Sequence, residues 1–175
     1  TFPTATSQWE KHSVAQEIPI WDAALCTQCA LCPLMCPHAA IRMNVCPPEQ
    51  LKGAPADFKS VPWRGKEGGV FDGWSYTVQV APEDCTGCGI CVDVCPTRSN
   101  EVVKHKAINL EPKRDHLDAE RRNYEFFLAL PETRPPPETI NLLKGSQLRV
   151  PLFEYSGACG GCGETPYLKL LSQLY

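Results

Sequence analysis

An α+β fold built from two similar halves is predicted by three observations. One cysteine spacing occurs twice, as Cys26-x2-Cys29-x2-Cys32-x3-Cys36-Pro37 and as Cys85-x2-Cys88-x2-Cys91-x3-Cys95-Pro96. Short runs with strand character flank each copy, with room for a helical turn between the motif and the strand that follows. Proline and glycine crowd the stretch between the copies, so a loop joins the halves.

The elements follow in chain order. Residues 1–20 read as an upstream linker, ending in an extended entry, Glu17 to Asp22. After the first motif, Pro37 suits the start of a helical turn that His38-Ala39-Ala40-Ile41 continues, and a strand is expected over Ile41 to Val45. Residues 46–74 hold Pro47, Pro48, Pro55, Pro62, Gly53, Gly65, Gly68, Gly69 and Gly73, which predicts a loop-rich insertion packed over the module, with Trp63, Phe71 and Trp74 as its anchors. Tyr76 to Val80 alternates as a strand, a turn is expected through Val92 to Cys95, and Ala107 to Leu110 closes the second half. Residues 21–112 thus form one ferredoxin-like domain. Residues 113–140 supply a packing helix over 113–130, with Leu117, Tyr124, Phe127 and Leu128 on one side, and then a linker at Pro131 and Pro135-Pro136-Pro137.

The cysteines carry the chemistry. Three thiolates two residues apart can wrap a loop around three corners of a compact 4Fe-4S cube, and the fourth corner needs a ligand from elsewhere. In two-cluster modules the Cys before Pro serves the other cluster, which assigns Cys26, Cys29, Cys32 and Cys95 to one site and Cys85, Cys88, Cys91 and Cys36 to the second. A disulfide framework fits poorly with 11 cysteines, an odd number, so densely spaced. Zinc is the better rival, but structural zinc uses paired CxxC knuckles, whereas each group here has a third Cys at a further two-residue step. Cys46 is left over and reads as a free, partly buried thiol.

Composition removes other classes. With 43% apolar and 21% charged residues the chain is globular rather than disordered, and no apolar run approaches the ~18 residues of a membrane span. A net charge of -3 argues against a partner held by phosphate electrostatics, so no nucleic acid is expected. TFPTATSQWEKHS has neither an apolar core nor a basic start, so no secretory signal is expected and a cytoplasmic setting is. Arg98, Lys104, Lys106, Lys113, Arg114 and Arg121 are interspersed with Glu101, Glu111, Asp115, Asp118 and Glu120, which reads as a plain solvated surface.

Near the end, Cys159 and Cys162 sit in a glycine-rich turn, a pattern that fits a redox dithiol, half a zinc site or half an iron-sulfur site. Thr165 and Pro166 then suit a helix start, with Leu168, Leu170, Leu171 and Leu174 as its apolar face.

The strings TSQWEK, EIPIWD, CTQCALCPLMCPHAAIR, DCTGCGICVDVCP and FEYSGACGGCGETPYLKLL together resemble the iron-sulfur region of pyruvate:ferredoxin (or flavodoxin) oxidoreductases. CPHAAIR and SGACGGCGETPY are the most specific of them. The resemblance implies an enzyme that oxidatively decarboxylates pyruvate on thiamine diphosphate, passes the acyl group to coenzyme A and exports electrons singly to ferredoxin or flavodoxin. It implies that this chain is an internal piece, inactive alone and without catalytic residues of its own, of a protein that is a homodimer at full length. It further implies that Cys159 and Cys162 are two of four ligands of a third 4Fe-4S cluster, that Glu164 approaches the thiamine site, and that residues 141–175 begin an α/β thiamine-binding domain, here truncated. An independent ferredoxin-type electron carrier is the alternative reading.

Overall fold

A computed structural model describes residue 6 and residues 9–175. Of the stretch read as an upstream linker, residues 1–5, 7 and 8 lie outside the described residues. The fold is a small α+β module. Strand β1 (Glu17–Trp21) leads into the first motif, helix α1 (Leu31–Met35) lies within it, and β2 (Ile41–Cys46) follows. Strand β4 (Ser75–Val80), helix α2 (Ile90–Asp93) and β5 (Ile108–Pro112) repeat that order around the second motif. Between the halves lie a 3-10 turn (Pro48–Leu51) and the two-residue β3 (Val61–Pro62).

Each half gives one strand to each of two antiparallel ladders. β1 pairs with β5, Ile18 opposite Glu111 and Trp21 opposite Ile108. β2 pairs with β4, Ile41 opposite Val80 and Cys46 opposite Ser75, and β3 adds to the far side of β4. The halves are therefore interlocked, and α1 packs on α2 at their centre. Ile18, Ile20, Ile41, Met43, Val45, Val78, Val80 and Ile108 form the core beneath the motif loops.

The helical turn of each motif precedes its last cysteine. Pro37 therefore does not open a helix: α1 ends at Met35, Cys36 caps it in extended conformation, and Pro37 follows as a stop. Lacking an N–H, proline suits the position just after a helix end as well as the first turn.

Helix α3 (Lys113–Ala129) packs along β4 and β5. It buries Tyr124 and Phe127 as expected, together with Lys113 and Asn123, whereas Leu128 is exposed. The proline-rich stretch after it is tied to β2 through Thr133, which donates to the Val45 carbonyl. Helices α4 (Leu143–Ser146) and α5 (Thr165–Leu174) complete the chain, with α5 packed on α1. The buried stripe of α5 is Thr165, Lys169 and Gln173, one residue per helical turn, while Leu168 and Leu171 are exposed. The apolar face expected there is not the one that packs, because polar side chains on that stripe bond main chain elsewhere, Lys169 to the Pro33 carbonyl and Gln173 to that of Arg149. Among the described residues no helix is long and apolar enough to cross a membrane.

Candidate metal centre

The two motif loops share a backbone with alternating handedness. In the second, Gly87 and Gly89 hold φ of 68° and 79°. In the first, the same places are taken by Gln28 and Ala30 at 58° and 64°. A left-handed conformation costs an ordinary residue about 1–2 kcal/mol, so the first loop holds strain that the second avoids with glycine. This winding turns main-chain N–H groups toward sulfur: the amide of Gln28 donates to Cys26 Sγ at 3.3 Å, and that of Gly87 to Cys85 Sγ at 3.4 Å. Such bonds stabilise charge on a thiolate and are among the protein's controls on a cluster's potential.

The surroundings of the thiols bring together residues far apart in sequence. Burial pushes the Cys32 thiol well above its ordinary value, and neighbouring Cys26, Cys91, Cys29 and Cys95 push it in the same direction. Burial likewise pushes Cys85 up to about 12, with Cys36 and Cys88 adding to it. The Cys91 thiol is raised by burial and then by Cys36, Cys85 and Cys88. Cys36, Cys85, Cys88 and Cys91 line one cavity, walled by Pro19, Ile41 and Leu110. On the other side, Thr27 and Thr97 hydroxyls meet at 3.2 Å and tie the first loop to the strand leaving Cys95.

Among the described residues, no three Cys, His, Asp or Glu side chains converge closely enough to hold a single metal ion. Cys36, Cys85, Cys88 and Cys91 instead line a shared space. All-sulfur donors set around a space, with amides aimed at sulfur, suit a polynuclear iron-sulfur group, whose binding removes the protons that burial otherwise holds on the thiols.

Two lysines, neither assigned a role from the sequence, cap the two short helices at equivalent places. Lys169 Nζ donates to the carbonyls of Pro33, Leu34 (2.8 Å) and Cys36 (3.2 Å). Lys106, read as part of a solvated surface, donates to the carbonyls of Val92 (2.5 Å) and Asp93 (3.3 Å). A cation there answers the negative end of a helix and bonds the carbonyls that end it. Lys169 is 1% exposed, and burial holds its ammonium down at about 8 against the pull of the Cys36 and Cys32 thiols.

The terminal cysteines pack on the second half. A side-chain carbon at Gly161 would stand 3.5 Å from both Cys88 Cβ and Ile90 Cδ1, and one at Gly160 equally close to Thr86. His38, two residues after Cys36, holds this turn: its Nδ1 meets Ser156 Oγ at 3.2 Å and its Nε2 meets the Cys159 carbonyl at 3.3 Å. Arg42 pairs with Glu154 and lies over the Tyr155 ring, while the Tyr155 and Tyr124 hydroxyls bond at 2.6 Å. CPHAAIR and FEYSGAC are thus two faces of one contact, and the resemblance flagged both strings without showing that they meet. The Cys162 thiol is lowered by main-chain N–H groups of Thr165 and Glu164 at the start of α5. Thr165 makes no side-chain cap; Glu164 is the residue at the cap position, and its side chain is exposed. Cys46 is fully buried in β2, where burial raises its thiol.

The small α+β fold carries these thiol-bearing loops, and residues 25–99 match the family described as the 4Fe-4S dicluster domain. The whole chain is 52% identical to the probable pyruvate-flavodoxin oxidoreductase of Escherichia coli K12 and 51% to the pyruvate-flavodoxin oxidoreductase of Nostoc sp. PCC 7120. It is 46% identical, over 99% of its length, to the pyruvate:ferredoxin oxidoreductase of Moorella thermoacetica. The chain is thus similar to one segment of these oxidoreductases and spans about 14% of the length of those relatives.

Proposed function

We propose that this chain is the electron-transfer segment of an enzyme that oxidatively decarboxylates pyruvate to acetyl-CoA and delivers electrons singly to ferredoxin or flavodoxin. The observation that carries the reading is the crossed neighbourhood of the thiols: Cys36 lies in one cavity with Cys85, Cys88 and Cys91, and Cys32 has Cys95 as well as Cys26, Cys91 and Cys29 close enough to act on it. Each set would hold one 4Fe-4S cluster. When bound, such clusters supply one-electron acceptors that need no proton.

The polypeptide's part is placement. The αL turns aim amides at sulfur, Lys106 and Lys169 fix the helices that carry Cys91 and Cys32, and the packing of α1 on α2 holds the sites as neighbours. Cys159 and Cys162 would be two ligands of a third cluster, the others coming from elsewhere in the full-length protein. The close approach of Gly161, between them, to Cys88 supports an order in which the third site stands next to the Cys85 group, with the Cys26 group farthest from it. Residues 141–175 would begin the thiamine-diphosphate domain, with Glu164 toward that cofactor. Residues 21–112 would be the two-cluster domain, and 113–140 its packing helix and linker. A homodimeric full-length protein and a cytoplasmic setting belong to the same proposal.

The test uses the full-length oxidoreductase. Cys162→Ser should abolish pyruvate-dependent reduction of ferredoxin, while dithionite still reduces both two-cluster signals. Undiminished pyruvate-dependent reduction would remove the terminal pair from the path.

A further inference from the structure

The insertion 46–74 joins β2 to β4, and the structure shows what it touches. Gln28, in the first loop, is completely buried. Its Nε2 donates to the Pro62 carbonyl at 2.8 Å, and its Oε1 accepts from the Arg64 amide at 2.7 Å. Both ends of one side-chain amide thus grip the strand bearing Trp63. Arg64 returns the contact, donating to the Cys26 carbonyl at 2.9 Å. Trp63 meets the rings of Tyr76 and Phe71 at 5.9 and 6.0 Å, and the thiols of Cys32, Cys26 and Cys29 lie close enough to Tyr76 to act on its hydroxyl. The other limb is anchored independently: Lys59 donates to the Trp21 carbonyl at 2.9 Å, and Phe58 packs edge-on to Phe126 at 5.1 Å.

The second loop has no counterpart. Where Gln28 stands it has Gly87, and a side-chain carbon there would lie 3.2 Å from the Glu17 carbonyl and 3.3 Å from Ala15. The entry to β1 covers that loop directly, and Cys88 is exposed.

We propose that residues 46–74 are a cap that keeps solvent from the site of Cys26, Cys29, Cys32 and Cys95, and that Gln28 is its latch. Gln28 acts as a positioning residue, and its left-handed backbone is retained because only from there does the amide span Pro62 and Arg64. The inference rests on the two-site reading above.

The test is release of iron to a chelator, EDTA, from the anaerobically reconstituted full-length protein, with Cys36→Ser identifying which phase belongs to the first site. Gln28→Gly keeps the backbone that Gly87 already adopts and removes both bonds to the cap. It should speed first-site release on the order of tenfold, the shift in an opening equilibrium that two ordinary hydrogen bonds hold, with second-site release unchanged. Trypsin should cut faster after Arg64, and the first site's midpoint potential should rise, because water stabilises the more negative reduced state. Arg64→Ala, on an exposed side chain, should speed first-site iron release more weakly. Unchanged first-site release in both variants, or equal acceleration at both sites, would overturn the cap. Total iron in the unsubstituted protein reports on the two-site reading separately.

Discussion

The two motif loops follow one cysteine spacing and solve its backbone problem differently. The second uses glycine at both left-handed positions, and chain from Ala15 to Glu17 closes over it with no space left for a side chain. The first uses Gln28 and Ala30 and accepts the strain, and in exchange Gln28 holds a separate segment against the loop. Duplication has preserved the thiol geometry while the means of covering it diverged. The same holds for the helix caps, where Lys169 is buried and drawn from the end of the chain, whereas Lys106 is half-buried and local to its own half.

The largest effect should come from breaking the crossing. Cys36→Ser should remove the group held by Cys85, Cys88 and Cys91 and about half the iron, leaving the Cys26 group, and Cys95→Ser should do the reverse. EPR of the reduced variants distinguishes the two, and loss of the Cys26 group on changing Cys36 would break the comparison outright.

Exchanging the loops' residues sharpens it. Gly87→Gln meets both the left-handed backbone and the crowding by Glu17 and Ala15, and should cost about 2–4 kcal/mol in denaturant unfolding. The opposite exchange, Gln28→Gly, should leave global stability close to unchanged because it relieves backbone strain as it removes two bonds.

The caps differ by a smaller margin. Lys169→Met strips three carbonyls of a buried donor and should destabilise by about 1–3 kcal/mol, against about 1 kcal/mol or less for Lys106→Met, where water can replace the cation. Urea midpoints measure both.

The smallest effect is at the flank of the first loop. A hydrogen bond from His105, at 2.9 Å, holds the Asp22 carboxyl below its ordinary value. A depressed carboxylate stabilises the fold above its unfolded pKa of about 3.9, and that contribution is lost as pH falls through the lower folded value. His105→Ala should return Asp22 toward 3.8 in an NMR titration, with a stability change of only a few tenths of a kcal/mol because both side chains are about a third exposed.

How much of this was legible follows from distance along the chain. The cysteine loops, the four long strands and α3 were readable because spacing and alternation are local. The position of Pro37 was misread because proline suits both ends of a helix, and only the observed end of α1 at Met35 separates them. The buried face of α5 was misread because its reward is main-chain bonding: Lys169 reaches carbonyls more than 130 residues earlier, and hydrophobic periodicity carries no trace of that. In the sequence Gln28 only stands between Cys26 and Cys29, and its role appears only with Pro62 and Arg64, 34 and 36 residues away.

The central claim is that eight thiols, exchanged in pairs between halves, hold two iron-sulfur cubes. Iron, acid-labile sulfide and zinc counted together on anaerobically purified chain test it most directly. The account predicts about eight irons and about eight sulfides per chain, with no stoichiometric zinc. Zinc without sulfide would contradict it.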